Sequence, residues 1–493
     1  MKVTFVFGAY ENLGIEYLSS YLKLKGHETA LVFSPMLFND AYLCNPFLGK
    51  IFSHIKFLAK KVVKSEPDLV AFSALFDNYH WATLVAKEIK KISDVPIVFG
   101  GIHPTSLPET VIKNSFIDYV CIGEGELAFE NLCIKIGEKN ENIPLKNIWS
   151  KIDGEVIEND GLYPLIDKLD NLPFPDKDIY YSKSPYFKSA YSIITSRGCP
   201  YNCYFCCNNV LRSLYSGEKK YLRFRSRENV LEELKIGKER YNYRSVLFHD
   251  DNLITKKKSF FEFMESYKEE ISVPYMAIVH PKNIDRDVAI TLKKTDCAYV
   301  SMGIQTFNAD CRKNILNRFE TNDEIINALK ILKEEKIHVV VDHIFNLPNE
   351  TDDDLVDAGN LYNKYRPDRI VSYNLTYYPS TEIVEIAKRE NVISQRLKMM
   401  EDDVSLTYFD SKGDSKENSV RFNSFRNLFS IMPFVPKGII RFILTKKRYR
   451  FLSKIPFFVT GILPNIVRAL RGKEIKANQM IGIFLYNLLK LGY

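Results

Sequence analysis

Apolar and polar positions change their period repeatedly along this chain. Val3–Phe7, Thr29–Phe33, Leu69–Ser73 and Ile97–Phe99 are apolar runs of strand length, and Leu13–Lys25 and Tyr79–Lys91 carry apolar residues at helical spacing between them. Strands that read as continuous apolar runs and alternate with amphipathic helices predict a parallel sheet covered on both faces, over residues 1–145. The pattern then lapses. Pro164-Leu-Ile-Asp-Lys-Leu-Asp-Asn-Leu-Pro-Phe-Pro175 holds the chain extended, so 146–187 is expected to be a linker. Alternation restarts with strands expected over Tyr191–Thr195, Ser245–His249, Tyr275–Val279, Ala298–Gly303, Val339–Phe345 and Ile370–Leu375, and Ser226 is placed to cap a helix over Asn229–Tyr241. Six such units over 188–390 predict an open barrel, with a helical C-terminal region over 391–493.

Charge changes the picture only at the end. The net charge of +7 hides fourteen Lys and Arg against Glu474 alone from Arg421 to Tyr493, while the rest of the chain carries 54 basic and 60 acidic residues. In the tail, Phe422, Phe425, Leu428, Phe429, Phe434, Ile439–Leu444 and Pro456–Val459 are interleaved with basic residues, a pattern suited to a membrane interface or to helices packed on the barrel with a solvated basic face. A nucleic-acid surface is not expected, because the aromatics sit in aliphatic company. The acidic passage Glu401-Asp402-Asp403 and Asp410–Glu417 reads as a loop. Nine cysteines without framework spacing and an N-terminus without a cleavable signal pattern point to the cytoplasm.

Candidate chemistry begins at Cys199-Pro-Tyr-Asn-Cys203-Tyr-Phe-Cys206. Three thiolates at this spacing in a loop after a strand can hold an iron-sulfur cluster, and a cubane that normally takes four leaves one iron open. An open coordination position is where a substrate or cofactor can bind. A zinc site would need a fourth ligand, and no second pair or histidine lies close by in sequence. The remaining cysteines, Cys44, Cys121, Cys133, Cys207, Cys297 and Cys311, are expected to be bystanders. Other polar and glycine residues gather at predicted strand ends, where ligands of α/β folds bind: Ser73-Ala-Leu75, Gly100-Gly101-Ile-His103 and Gly123-Glu124-Gly125-Glu126 in the first part. In the second part these are Asp250-Asp251-Asn252, His280, Gly303-Ile-Gln305-Thr306, Asn346-Leu-Pro-Asn-Glu350 and Tyr378–Glu382.

With Arg197-Gly198 leading in and Phe205 before the third cysteine, the loop resembles the signature of the radical S-adenosylmethionine (SAM) enzymes. The S-x-L and GG segments resemble a cobalamin-binding domain, and the order of the two parts resembles the cobalamin-dependent branch of the radical SAM group, class B methyltransferases included. The resemblance implies a Rossmann-like (flavodoxin-like) cobalamin domain followed by a partial (βα)6 TIM-type barrel. It implies a 4Fe-4S cluster on Cys199, Cys203 and Cys206. SAM would lie near Phe205, Asp250, Asp251, Gly303, Gln305 and Asn346, and cobalamin near Ser73, Leu75, Gly100, Gly101, His103, Gly123, Glu124 and Gly125. No acid or base is assigned. Three departures stand out. Ala9 and Glu11 occupy the Asp and His slots of the D-x-H-x-x-G segment, so a histidine below cobalt is not expected; Gln305 replaces a usual glutamate; and Asn346 and Asn349 stand where glycines are usual.

What the resemblance implies for activity is reductive cleavage of SAM to a 5'-deoxyadenosyl radical, hydrogen abstraction, and methylation of an unactivated carbon, with a reductase, flavodoxin or ferredoxin as electron donor. The same machinery could form rings, oxidise or couple carbons without net methyl transfer, and a non-catalytic cobalamin- or lipid-binding protein is the reading from another class. The tail suggests a small, hydrophobic substrate, lipid- or isoprenoid-like, and peripheral membrane contact.

Overall fold

The computed structural model describes residues 1–493 except 40–45, 139–143, 153, 219, 391–413, 463, 465–472 and 491–493. β1 (Lys2–Gly8), β2 (Glu28–Ser34), β3 (Leu69–Ser73), β4 (Ile97–Gly100) and β5 (Tyr119–Cys121) form a parallel sheet in the order β2-β1-β3-β4-β5. Both faces are covered, which is why nearly every residue of β1, β3 and β4 is buried. The helix Leu13–Leu24 is capped by Asn12, whose Oδ1 accepts from the Ile15 amide at 3.0 Å.

The stretch expected as a linker begins as a hairpin of that sheet. β6 (Ile148–Ile152) and β7 (Glu155–Ile157) extend it antiparallel beyond β5. The remainder is extended but tightly held: Lys177, 1% exposed, donates to Glu11 at 2.9 Å, to Glu16 at 2.6 Å and to the Ser192 carbonyl at 2.7 Å. Phe33 meets Tyr180 and Phe187 edge-on at 6.2 and 5.5 Å. One apolar core consequently runs from the first sheet through this connector into the second.

That second sheet holds β8 (Tyr191–Ile193), β11 (Val246–Phe248), β12 (Tyr275–Val279), β13 (Cys297–Gln305), β14 (His338–Phe345) and β15 (Arg369–Asn374), parallel and neighbouring in chain order. Between β8 and β11 a short ribbon, β9 (Ser196–Arg197) and β10 (Arg223–Phe224), brackets the cysteine loop and the helix Cys207–Leu214. Burial alternates along the barrel strands. Val300, Met302, Val341 and Ile370 are buried in the wall, whereas Ser301, Asp342, Val371 and Tyr373 keep partial exposure toward the lumen.

The C-terminal region packs on this barrel. The helix Lys416–Ile431 buries Phe422, Phe425, Leu428 and Phe429 completely, with Phe422 against Phe345 at 5.5 Å. The helix Ile475–Leu489 sits at the amino-terminal ends of the barrel strands: Ile475 joins Leu247, Met276, Tyr299 and Val340, and Glu474 pairs with Arg369 at 2.5 Å. Among the described residues no helix is long and apolar enough to cross a membrane. Cys44, Glu401-Asp402-Asp403, Asp410 and most of Ile462–Leu470 lie outside the described residues.

Candidate active site

The carboxyl ends of the first sheet face the cysteine loop across a cavity of about 400 Å³. Ser73, Gly100, Gly101 and the turn Gly123–Glu126 line it from the sheet; Ser196–Gly198, Cys207, Asn208, Tyr215, His249 and Asp251 line it from the barrel. It deepens into an apolar floor of Phe5, Leu18, Ala71 and Phe129, between sheet and helices. Small residues leave this space open. A Cβ at Gly101, where φ is 98°, would lie 2.7 Å from the Ala74 carbonyl, so both space and conformation require glycine there.

Of the residues singled out for cobalamin, Leu75 and His103 do not line the cavity. The His103 ring, 3% exposed, stacks on Tyr79 at 3.8 Å, neither ring nitrogen has a hydrogen-bond partner among the described residues, and burial pushes its pKa down to about 3. Glu124 reaches the barrel: its carboxylate binds Arg223, one of the two bonds being 3.1 Å, and lies 3.4 Å from Arg197. Glu126 takes Arg197 at 2.6 Å, and the pair is almost wholly buried.

These contacts clamp the cysteine loop from both flanks. Arg197 precedes Cys199 by two residues, and Tyr215, just past the helix that follows Cys206, sets its hydroxyl into the same turn, accepting from the Glu124 amide at 2.9 Å and from Asn147 at 3.3 Å. Gly123 has φ of 73°, and a Cβ there would lie 2.2 Å from the Tyr215 hydroxyl. Sequence reasoning missed Tyr215, Arg223 and Lys177; lone polar residues outside a motif carry no local signal.

Asp250, 1% exposed, is turned under the loop. Its oxygens accept from the Thr195 amide at 3.0 Å, the Thr195 hydroxyl at 2.8 Å and the Ser196 hydroxyl at 2.5 Å. Asp251 faces the cavity, and burial raises its pKa. Phe205 packs on the cluster of Leu316, Ile344, Leu347 and Tyr377, anchoring the loop on the opposite wall. Tyr201 stacks on His280 at 4.0 Å, and His280 approaches Glu320 at 3.5 Å, which holds Arg318 at 2.6 Å. Gly303 offers its carbonyl to Arg318 at 2.7 Å. Gln305, Asn346 and Asn349 have φ of 67°, 59° and 63°. That left-handed region explains why Asn can stand where glycine is usual, because its short amide tolerates it. Asn346 also bonds Asn374 at 3.0 Å, and its amide donates to Glu350 at 2.8 Å.

The donor set of the loop suits a cluster. Burial pushes the pKa of the Cys199 and Cys203 thiols up to about 12 and about 11, a cost that bound iron would reverse by holding them as thiolates, and Cys206 accepts from Asn208 Nδ2 at 3.8 Å. Among the described residues no group of three His, Cys, Asp or Glu is placed to hold a single metal ion. A cubane spreads its cysteine ligands over separate irons, so the loop's three sulfurs have no need to converge on one point.

Comparison with known proteins agrees with this geometry. Residues 3–133 match the B12 binding domain and residues 193–361 the Radical SAM superfamily. An uncharacterised methyltransferase of Pyrococcus horikoshii is 28% identical over 407 residues, 78% of this chain and 86% of the relative. An anaerobic magnesium-protoporphyrin IX monomethyl ester cyclase of Rubrivivax gelatinosus is 24% identical over 409 residues, 78% of this chain and 70% of the relative. Among solved structures, the radical SAM methyltransferase TsrM from Kitasatospora setae superposes with a TM-score of 0.62 at 14% identity, covering 80% of this chain and 77% of that one. The cobalamin-dependent SAM radical enzyme OxsB superposes with a TM-score of 0.59 at 17% identity, covering 99% and 79%.

Fold and site together define a radical SAM enzyme. The chain carries a B12-binding domain followed by a radical SAM domain, and its cofactors are a 4Fe-4S cluster, SAM and cobalamin.

Proposed function

We propose that this enzyme transfers a methyl group to an unactivated carbon of a hydrophobic small molecule. The observation that carries the reading is the shared cavity, with the glycine-lined end of the first sheet on one side and the cysteine loop on the other. When bound, the cofactors supply one-electron reduction, hydrogen abstraction and a methyl donor. A strong C–H bond offers no acidic proton for a general base to remove, which favours radical activation over acid–base chemistry.

The residues then divide the work. Cys199, Cys203 and Cys206 hold the cluster; Arg197, Asp250 and Tyr215 position their loop; Asp251, Gly303, Gln305 and Asn346 receive SAM; and Ser73, Gly100, Gly101, Gly123 and Gly125 receive cobalamin. The apolar floor fits an aromatic end of that cofactor, which 400 Å³ can accommodate only in part. The lumen beyond, walled by Ile278, Val371, Tyr373 and Asp342, receives the substrate and keeps water from it. The free cysteines among the described residues fit a reducing compartment such as the cytoplasm, where a flavodoxin, ferredoxin or reductase supplies electrons.

A second reading is ring formation or oxidation without net methyl transfer, favoured by the similarity to the cyclase of Rubrivivax gelatinosus over much of the chain. The deciding experiment is anaerobic reconstitution with iron, sulfide and cobalamin, then product analysis with SAM and a strong reductant. S-Adenosylhomocysteine together with 5'-deoxyadenosine supports methyl transfer; with a substrate turned over, deoxyadenosine alone supports the second reading.

A further inference from the structure

The helix Lys437–Leu444 is apolar on two sides. Ile440, Ile443 and Leu444 are buried, Leu444 beside Gly359, while Ile439 and Phe442 stand 51% and 60% exposed. The adjoining segment Thr445–Lys454 adds Phe451, 53% exposed. Single exposed apolar residues are ordinary, but several on adjoining elements mark a surface with a partner.

Charge says which partner. Residues 437–457 hold seven Lys and Arg and no acid. Asp352 takes Arg450 at 2.9 Å and Arg448 lies over the Phe442 ring at 4.0 Å, whereas Arg441, Lys446, Lys447 and Lys454 have no carboxylate partner among the described residues. Lys446 and Lys447 follow one another in the left-handed region, φ 52° and 55°, forming an exposed corner next to Phe442. Aliphatic and aromatic side chains set among unpaired cations match the boundary between lipid headgroups and acyl chains: the rings and Ile439 enter the apolar layer, and the ammonium groups stay with the phosphates. A nucleic acid would use the charge and leave Ile439 in water.

We propose that this face, comprising Ile439, Phe442, Phe451 and the Lys446–Lys447 corner, docks on an anionic lipid bilayer. The inference rests on the surface alone and does not depend on the methyl-transfer reading.

The test is co-sedimentation of the full chain with phosphatidylcholine vesicles containing about a third phosphatidylglycerol, against phosphatidylcholine alone. Binding to the anionic vesicles is expected, weakening as salt rises. Phe442→Asp and the double change Lys446→Glu/Lys447→Glu should each reduce partition about tenfold or more. Ile236→Asp, at a 46% exposed apolar position of the helix Arg227–Tyr241, should leave it unchanged. Absence of partition, equal partition into neutral and anionic vesicles, insensitivity to both patch variants, or retention by duplex nucleic acid in place of vesicles would overturn the proposal. Both patch variants alter exposed side chains, and a circular dichroism melt matching the parent assigns any loss to the surface.

Discussion

Arg197 Nη2 donates to Glu126 Oε1 at 2.6 Å, joining the barrel's cysteine loop to the turn that ends β5 of the other sheet. The side chains are 15% and 5% exposed, so neither charge tolerates loss of the other. With Glu124 on Arg223 and Tyr215 on the Glu124 amide, this pair ties the first sheet to the barrel beside the shared cavity.

Arg197→Met leaves Glu126 buried without its principal cation. We expect a loss of roughly 3 kcal/mol in urea unfolding. The reconstituted variant should also carry less iron and sulfide per chain, because the loop loses its anchor. Unchanged stability and iron content would show that the pair is dispensable.

Gly123→Ala places a methyl group where the Tyr215 hydroxyl lies and forces a left-handed φ on alanine. The expected loss is about 2 kcal/mol or more, from strain and from displacing a hydroxyl that satisfies the Glu124 amide. Tyr215→Phe alone, which removes only the hydroxyl, should lose about 1 kcal/mol. Thermal melts of the two variants should rank in that order.

Asp342 is held in the lumen, where burial, only partly offset by Arg369, Ser301 and Tyr373, raises its pKa to about 6. A carboxyl raised on folding contributes stability that is fully present below about pH 4 and is lost as pH rises through about 6. Asp342→Asn removes that dependence. The parent's stability relative to the variant should fall, on the order of 2 kcal/mol, between pH 4 and pH 7. Parallel curves across that range would refute the assignment.

Asn346 at φ 59° makes a graded prediction. Asn346→Gly keeps the conformation and loses the side-chain bonds to Asn374 and Asp414, for about 1 kcal/mol; Asn346→Ala loses the same bonds and gains strain, for about 2 kcal/mol. Equal losses would mean that the backbone conformation is unimportant.

In the metal site the separation should be sharp. Cys199→Ser, Cys203→Ser or Cys206→Ser each abolishes the cluster's visible absorption after reconstitution. Cys207→Ser preserves it, because Cys207 begins the following helix.

Most elements were readable in the chain because their period is local. Tyr275–Val279 and Leu69–Ser73 form the strands expected of them, and Ser226 caps its helix by accepting from the Asn229 amide at 3.1 Å. The cysteine trio stood out for the same reason, since its three thiols sit within eight residues. The roles of Glu124, Asp250 and His103 were not. Each follows a strand as a ligand-binding residue would, and only tertiary packing turned Glu124 to Arg223, Asp250 beneath Thr195 and His103 against Tyr79. The tail divides likewise. Its composition showed apolar residues among cations, but packing decided that Phe422 and Phe429 would be core and that Ile439 and Phe442 would face outward. Local sequence determined the strands and the caps through short-range periodicity, and the spacing of the cysteines in their loop. Which charges meet across more than 70 residues, as Arg197 meets Glu126, was decided by how the two sheets dock, because burial makes an unpaired charge too costly to leave.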